Sequence, residues 1–156
     1  MKILVMSDTH GNVPLALAAC EMSRPFDAVI HLGDGSEDVK SLVHALDAAV
    51  IHVAGNCDID SDAPRELVWE CEGKRLLLVH GDAYRVKSGL ERLEARAIET
   101  GADAVLFGHT HCATVTTRAD ILFINPGTLA QFCPHTSCAI LEITRTSISA
   151  ELSDVW

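Results

Sequence analysis

Apolar residues along this chain fall in short runs that stop abruptly at glycine, carboxylate, amide or histidine. Residues 2–7, 26–32, 49–54, 74–79 and 104–107 are rich in bulky and branched side chains and too short for helices, so they read as strands. Between the first three the apolar spacing lengthens to that of a helix. Asn12 is placed to cap a helix opened by Val13-Pro14, with Leu15, Leu17, Ala18 and Cys20 on its inner face and Pro25 ending it. Ser36 is placed to cap a second helix over 37–48 that buries Val39, Leu42, Val43 and Leu46. Segment 66–71 joins 74–79 through Glu72-Gly73 as a hairpin. A third helix over 87–100 turns Leu90, Leu93, Ala97 and Ile98 inward, and its Glu and Arg residues form a solvated face. Segments 112–117, 120–125, 137–144 and 147–152 read as antiparallel strands, the last two joined at Arg145-Thr146. Strand and helix alternate early and strands dominate late. That order predicts one layered α/β domain over 1–156, with a parallel or mixed sheet built first and antiparallel strands added to it.

Composition narrows the function classes. A chain of 156 residues that is 48% hydrophobic can bury a core without disulfide or metal staples. Its aromatic content of 4% argues against a stacking platform for single-stranded nucleic acid. A formal net charge of -10 argues against any general nucleic-acid-binding surface, so a phosphate would have to be attracted locally. The first apolar run is too short for a signal peptide or a membrane span, and the expectation is a cytoplasmic protein with no membrane partner. The six cysteines include no CxxC pair and read as free, mostly buried thiols. Cys57 is the exception, in a polar turn. An oligomer is permitted but not specified.

The chemistry sits at five strand exits: Asp8-Thr9-His10, Gly33-Asp34-Gly35, Gly55-Asn56-Cys57-Asp58, His80-Gly81-Asp82 and Gly108-His109-Thr110-His111. If the backbone stays extended there, side chains alternate, so Asp8 and His10 share one side, as do His109 and His111. In open α/β sheets, loops at the carboxyl ends of neighbouring strands converge on one crevice, and these residues should meet there. Four histidines, two carboxylates and an amide are too many donors for one tetrahedral zinc. They suit two divalent ions sharing a carboxylate. Abundant imidazole disfavours magnesium and calcium; manganese is the first choice, with nickel, cobalt, iron and zinc as alternatives. His31 and His52 lie inside strands and read as packing residues, and His44 reads as a solvated helix residue.

In this order the five exits resemble those of the calcineurin-like metallophosphoesterases, particularly their small, single-domain prokaryotic branch. Asn125-Pro126-Gly127-Thr128 extends the resemblance, since that branch commonly carries Asn-Pro-Gly-Ser or Thr there. The resemblance implies a four-layer αββα sandwich with a dinuclear centre. Asp8, His10 and His111 would hold the first metal, Asn56, His80 and His109 the second, and Asp34 would bridge them. Asp58 would support the loop or an outer-shell hydrogen bond. The implied reaction is in-line attack of a metal-bridging hydroxide on a small organic phosphate ester, most naturally a diester. With two divalent ions, two carboxylates and one hydroxide, the site would be positive by about one charge on an acidic protein.

Three departures from the family pattern bear on the substrate. Where many members place a histidine that protonates the leaving oxygen, this chain has Cys57, a candidate proton donor only if its thiol is suitably acidic. Asp82 stands where relatives often have a second histidine, and Leu129-Ala130-Gln131-Phe132, just after Thr128, lacks the arginine that many members place there. Substrate contacts beyond the metals would fall to Asn56 and to His135 in the Pro134-His135-Thr136 turn. Two other readings share the same residues: a phosphomonoesterase or nucleotidase, and a non-catalytic scaffold like the retromer subunit that resembles this fold.

Overall fold

A computed structural model describes residues 1–156. Its strands are β1 (Lys2–Met6), β2 (Ala28–His31), β3 (Ala49–His52), β4 (Glu66–Cys71), β5 (Lys74–Val79), β6 (Ala104–Leu106), β7 (Thr114–Arg118), β8 (Ile121–Asn125), β9 (Ser137–Ile143) and β10 (Ile148–Asp154). The helices are α1 (Val13–Ser23), α2 (Ser36–Ala45) and α3 (Glu91–Thr100). Two five-stranded sheets form, ordered β10-β9-β1-β2-β3 and β4-β5-β6-β8-β7. Each has a parallel block, β1-β2-β3 in one and β5-β6-β8 in the other; antiparallel β9 and β10 flank the first on one side, leaving β3 at the edge, and antiparallel β4 and β7 flank the second on both sides. The late strands therefore do not simply extend one early sheet. β9 and β10 return to β1, while β4 to β8 build a second sheet.

Burial explains the nearly unbroken apolar runs. Ile3 and Val5 of β1, Leu76 and Leu78 of β5, and Ala104 and Leu106 of β6 meet in the core between the sheets. The alternate residues face outward into helix layers, Leu4 and Met6 toward α1 and α2, and Leu77, Val79, Val105 and Phe107 toward α3. Strands covered on both faces carry no polar alternation, because neither side meets water. The result is a four-layer αββα sandwich. Each fully buried leucine contributes about 1.5–3 kcal/mol by leaving water, so these central strands are the rigid part from which the exits are hung.

Several helix details differ from the pattern. α1 buries Ala16, Ala19, Cys20 and Ser23, small residues that bring the helix close to the sheet, while Leu15 and Leu17 are only partly covered. Asn12 does not cap α1; its amide donates to the carbonyl of Leu129 at 2.8 Å. α2 ends at Ala45, and Val43 is exposed. Ser36 lies inside α2, and the helix is capped from a distance by Asp58. In α3 Leu93 and Ala97 are buried, whereas Ile98 is exposed. All six cysteines are free, but only Cys20 and Cys138 are buried; Cys57 and Cys112 are exposed. No helix is long and apolar enough to cross a membrane.

Candidate metal centre

In the first sheet the register aligns Met6 with His31 and His31 with His52, so the exits of β1, β2 and β3 leave side by side. In the second, Leu78 aligns with Leu106 and Leu106 with Ile124, which does the same for β5, β6 and β8. Backbone bonds zip the exits together: Asp8 N–H to Gly33 O at 3.0 Å, His10 N–H to Asp34 O at 3.1 Å, and Gly108 N–H to His80 O at 2.9 Å.

The exits are not extended. Asp8, His10, Asp34, His109 and His111 have φ of 53°, 45°, 55°, 66° and 59°. These are left-handed conformations that cost non-glycine residues roughly 1–2 kcal/mol each. The period-two argument therefore fails as geometry: Asp8 and His10 do come together, but His111 joins them while His109 joins Asp34 and His80. Tight turns aim them, and tertiary contacts hold the turns. Gly108 illustrates the crowding: a Cβ there would strike Ser7 Oγ and Asp8 Oδ2.

Donor atoms gather in three overlapping groups, each within 4.8 Å: Asp8-His10-His111, Asp34-His80-His109 and His10-Asp34-Cys57. Asp8 Oδ1 lies 3.0 Å from His111 Nε2, 3.7 Å from His10 Nε2 and 3.9 Å from His80 Nε2. Asp34 Oδ2 lies 3.4 Å from His80 Nε2 and 3.8 Å from His10 Nε2. His80 Nε2 and His109 Nδ1 are 3.1 Å apart. Asp8, Asp34 and His80 are buried, while His10 and His111 are exposed at the mouth.

The electrostatics ask for cations. Neither buried carboxylate is paired with lysine or arginine; only imidazoles face them. Burial opposes charge on Asp34, but hydrogen bonds from His80 and from the Cys57 N–H at 2.8 Å outweigh it and hold its carboxyl far below the usual range. Burial likewise opposes charge on His80, and the facing Asp34 and Asp8 overcome it and raise its pKa. Burial and the neighbouring His80 lower that of His109. His80 Nδ1 donates to Leu32 O at 2.8 Å, which leaves Nε2 as the atom turned toward the carboxylates. A carbonyl behind an imidazole is the arrangement that orients a metal-binding histidine, so this donor set fits divalent ions.

A supporting shell fixes these donors. Ser7 Oγ (2.5 Å) and His109 N–H (3.1 Å) both donate to Asp8 Oδ2, freeing Oδ1 for the cluster. Asn125 donates to Gly108 O and Thr110 Oγ1, both at 3.0 Å, and accepts from Gly127 N–H at 2.9 Å. Thr128 Oγ1 donates to Asp8 O at 2.9 Å. Asp58 accepts four backbone N–H groups, from Asp34, Gly35, Ser36 and Gly55, at 2.7 to 3.1 Å. Burial works against its charge, yet these bonds hold its pKa below the ordinary value.

Asn56 adjoins the cluster through Cys57, and the remaining candidates lie outside the donor groups. The exposed Asn56 donates to Cys57 Sγ at 3.4 Å. His135 is exposed and makes no side-chain hydrogen bond with the cluster. His44 is exposed and bonds the Lys40 carbonyl within its own helix, and His52 is half-buried on an edge strand. His31 is fully buried and hydrogen-bonded to Thr9 and Gly33. Sequence reasoning assigned nothing to Ser7, Thr9 or Asp38. Their one signal is position, Ser7 and Thr9 directly flanking Asp8 and Asp38 opening α2 just after Asp34.

Comparison with known proteins agrees with the sandwich and its exits. The family model of the calcineurin-like phosphoesterase superfamily domain matches residues 1–146. The probable metallophosphoesterase YsnB of Bacillus subtilis (strain 168) is 34% identical over 130 residues, covering 83% of this chain and 75% of that protein. The phosphodiesterase MJ0936 of Methanocaldococcus jannaschii is 32% identical over 145 residues, covering 81% and 83%. A crystal structure of a conserved uncharacterized protein from Streptococcus pneumoniae TIGR4, described as a predicted phosphoesterase, superposes with a TM-score of 0.83 at 27% identity, covering 98% of this chain and 88% of that one. From its exits, its two sheets and these likenesses, this chain belongs to the calcineurin-like phosphoesterase superfamily.

Proposed function

We propose that this chain is a dinuclear-metal-dependent phosphodiesterase acting on small organic phosphate esters. The observation that carries the reading is the pair of buried carboxylates, Asp8 and Asp34, surrounded by four imidazoles and unpaired with any lysine or arginine. In this reading Asp8, His10 and His111 would hold one ion, His80 and His109 with Asn56 would hold the other, and Asp34 would serve both. Manganese suits this mixture of imidazole and oxygen, with nickel, cobalt, iron and zinc as alternatives. Two such ions supply Lewis-acid activation of a phosphoryl oxygen and a hydroxide nucleophile near neutral pH.

The protein's own part is positioning. Ser7 and the His109 N–H direct Asp8 Oδ1 into the cluster, and the Leu32 carbonyl directs His80 Nε2. The exposed His10 and His111 leave the mouth open to an ester. Cys57 stands at that mouth within 4.8 Å of the His10 and Asp34 donors. In the metal-free site burial and the Asp34 carboxylate push its thiol upward, and no histidine stands in its place to protonate a departing alkoxide. Diesters with good leaving groups are therefore the favoured substrates. The related phosphodiesterase MJ0936, at 32% identity, supports the diester part of this reading.

The test is hydrolysis of bis(p-nitrophenyl) phosphate and p-nitrophenyl phosphate by protein stripped with chelator and reloaded with manganese, cobalt, nickel or zinc. Metal-dependent turnover favouring the diester, lost in His109→Ala, is the expected result. An undiminished rate in His109→Ala, or no turnover with any of the four metals, refutes the proposal. A monoester preference refutes its diester part.

A further inference from the structure

His10 poses a problem that the cluster itself does not solve. Its side chain is about one-third exposed, and its Nε2 stands 3.7 and 3.8 Å from the nearest carboxylate oxygens, too far for hydrogen bonds. Its backbone has φ 45°, unfavourable for any residue with a Cβ. Something other than its own side chain must hold it.

The residues on either side are tied to a single atom. Thr9 Oγ1 donates to Asp38 Oδ2 at 2.5 Å, and Gly11 N–H donates to the same oxygen at 2.8 Å. Thr9 is fully buried and Asp38 is 5% exposed. The Thr9 hydroxyl is in turn set by His31. Gly33 N–H can only donate, so His31 Nδ1, 3.2 Å away, accepts. In the neutral ring the proton then sits on Nε2 and points at Thr9 Oγ1, 3.1 Å away, which leaves the Thr9 proton for Asp38. Burial lowers the His31 pKa to about 4, in keeping with a neutral ring. The bonds thus run one way, from the Gly33 backbone through His31 and Thr9 to Asp38. A Cβ on Gly35 would strike both the Thr9 hydroxyl and the His31 ring. The far end is rigid, because Asp38 lies in the first turn of α2, which Val39 and Leu42 anchor in the core.

We infer that Asp38, acting through Thr9 and Gly11 with the Thr9 hydroxyl oriented by His31, is a positioning residue that holds His10 in the metal cluster. The inference rests on the metal reading proposed above and adds to it four residues outside the donor set.

The experiment is a titration of the metal-free full chain with Co2+, followed by calorimetry and visible absorption. The proteins compared are wild type, His10→Ala, Asp38→Ala, Thr9→Val, Thr9→Ser and the double variant His10→Ala/Asp38→Ala. Wild type takes up two ions, and His10→Ala weakens one of them. Asp38→Ala and the near-isosteric Thr9→Val weaken that same ion about tenfold or more, leaving the other within about threefold. Thr9→Ser, which keeps the hydroxyl, restores wild-type binding. In the double variant the two losses do not multiply, because the second change acts only through the first. General destabilisation would instead weaken both ions alike and multiply with His10→Ala; that result overturns the inference, as does wild-type binding of both ions by Asp38→Ala and Thr9→Val. A wild-type chain that takes up no Co2+, or a His10→Ala chain that binds both ions normally, overturns the metal reading and this inference with it.

Discussion

Asp58 joins three parts of the structure through one carboxylate, and removing its charge should be costly. Oδ2 accepts Asp34 N–H at 2.7 Å and Gly55 N–H at 2.8 Å, while Oδ1 accepts Ser36 N–H at 2.9 Å and Gly35 N–H at 3.1 Å. Asp58→Asn preserves the shape but turns an amide NH2 toward two of these donors, leaving at least two N–H groups opposed. A lost helix cap costs about 0.5–2 kcal/mol, and an unsatisfied donor about 1–3 kcal/mol when water cannot replace its partner. The loop is partly exposed, so these penalties do not simply add, and we expect roughly 2–4 kcal/mol at pH 7. For a chain of this size that corresponds to roughly 5–15 °C in Tm. The sign with pH follows from the depressed folded pKa of Asp58. Its contribution is fully present above the unfolded-state value of about 4 and is lost as pH falls through the lower folded value, where the native carboxylate takes up its proton. Urea unfolding of wild type and Asp58→Asn in chelator, from pH 7 down to about pH 2.5, should show a gap that is constant above pH 5 and narrows below about pH 4. A loss under about 0.5 kcal/mol at pH 7, or a gap that does not narrow in acid, would refute the account of Asp58 as a charged anchor for the loops.

Three further outcomes test other parts of the structure. Ser7→Ala removes one of the two donors that fix Asp8 Oδ2; metal affinity measured against a competing chelator should fall about 10–100-fold, and unchanged affinity would show that the His109 N–H suffices. Gly108→Ala places a methyl against Ser7 Oγ and Asp8 Oδ2, and denaturant unfolding should register a loss of about 1–3 kcal/mol together with reduced phosphoesterase turnover. Leu106→Ala opens a cavity between the sheets, where Leu106 is fully buried. It should cost about 2–5 kcal/mol by the same assay, yet leave turnover per folded molecule nearly unchanged at low temperature.

The sequence by itself carried the elements, their order and the donors. Runs such as 2–7 and 104–107 had to be buried strands, since adjacent apolar side chains point to opposite faces and both faces must then be kept from water. Polar donors stood at strand ends because only there does the chain leave the apolar layers. What it could not supply was the partition of strands between two sheets, because the apolar runs of β1, β2 and β3 look like those of β5 and β6. Only long-range pairing, β9 returning to β1 and β8 inserting beside β6, separates them. The exit geometry was hidden for the same reason. Local sequence favours extended or capped conformations for Asp8, His10, His109 and His111, and the folded chain imposes left-handed ones, offsetting local strain with bonds from residues far along the chain. Asp58 capping α2 in place of Ser36, and Asn12 reaching Leu129 instead of its own helix, are choices of that kind. A hydrogen bond between distant segments leaves no periodic trace in either of them, so residues such as Ser7, Thr9 and Asp38 acquire meaning only once the tertiary structure brings their partners alongside.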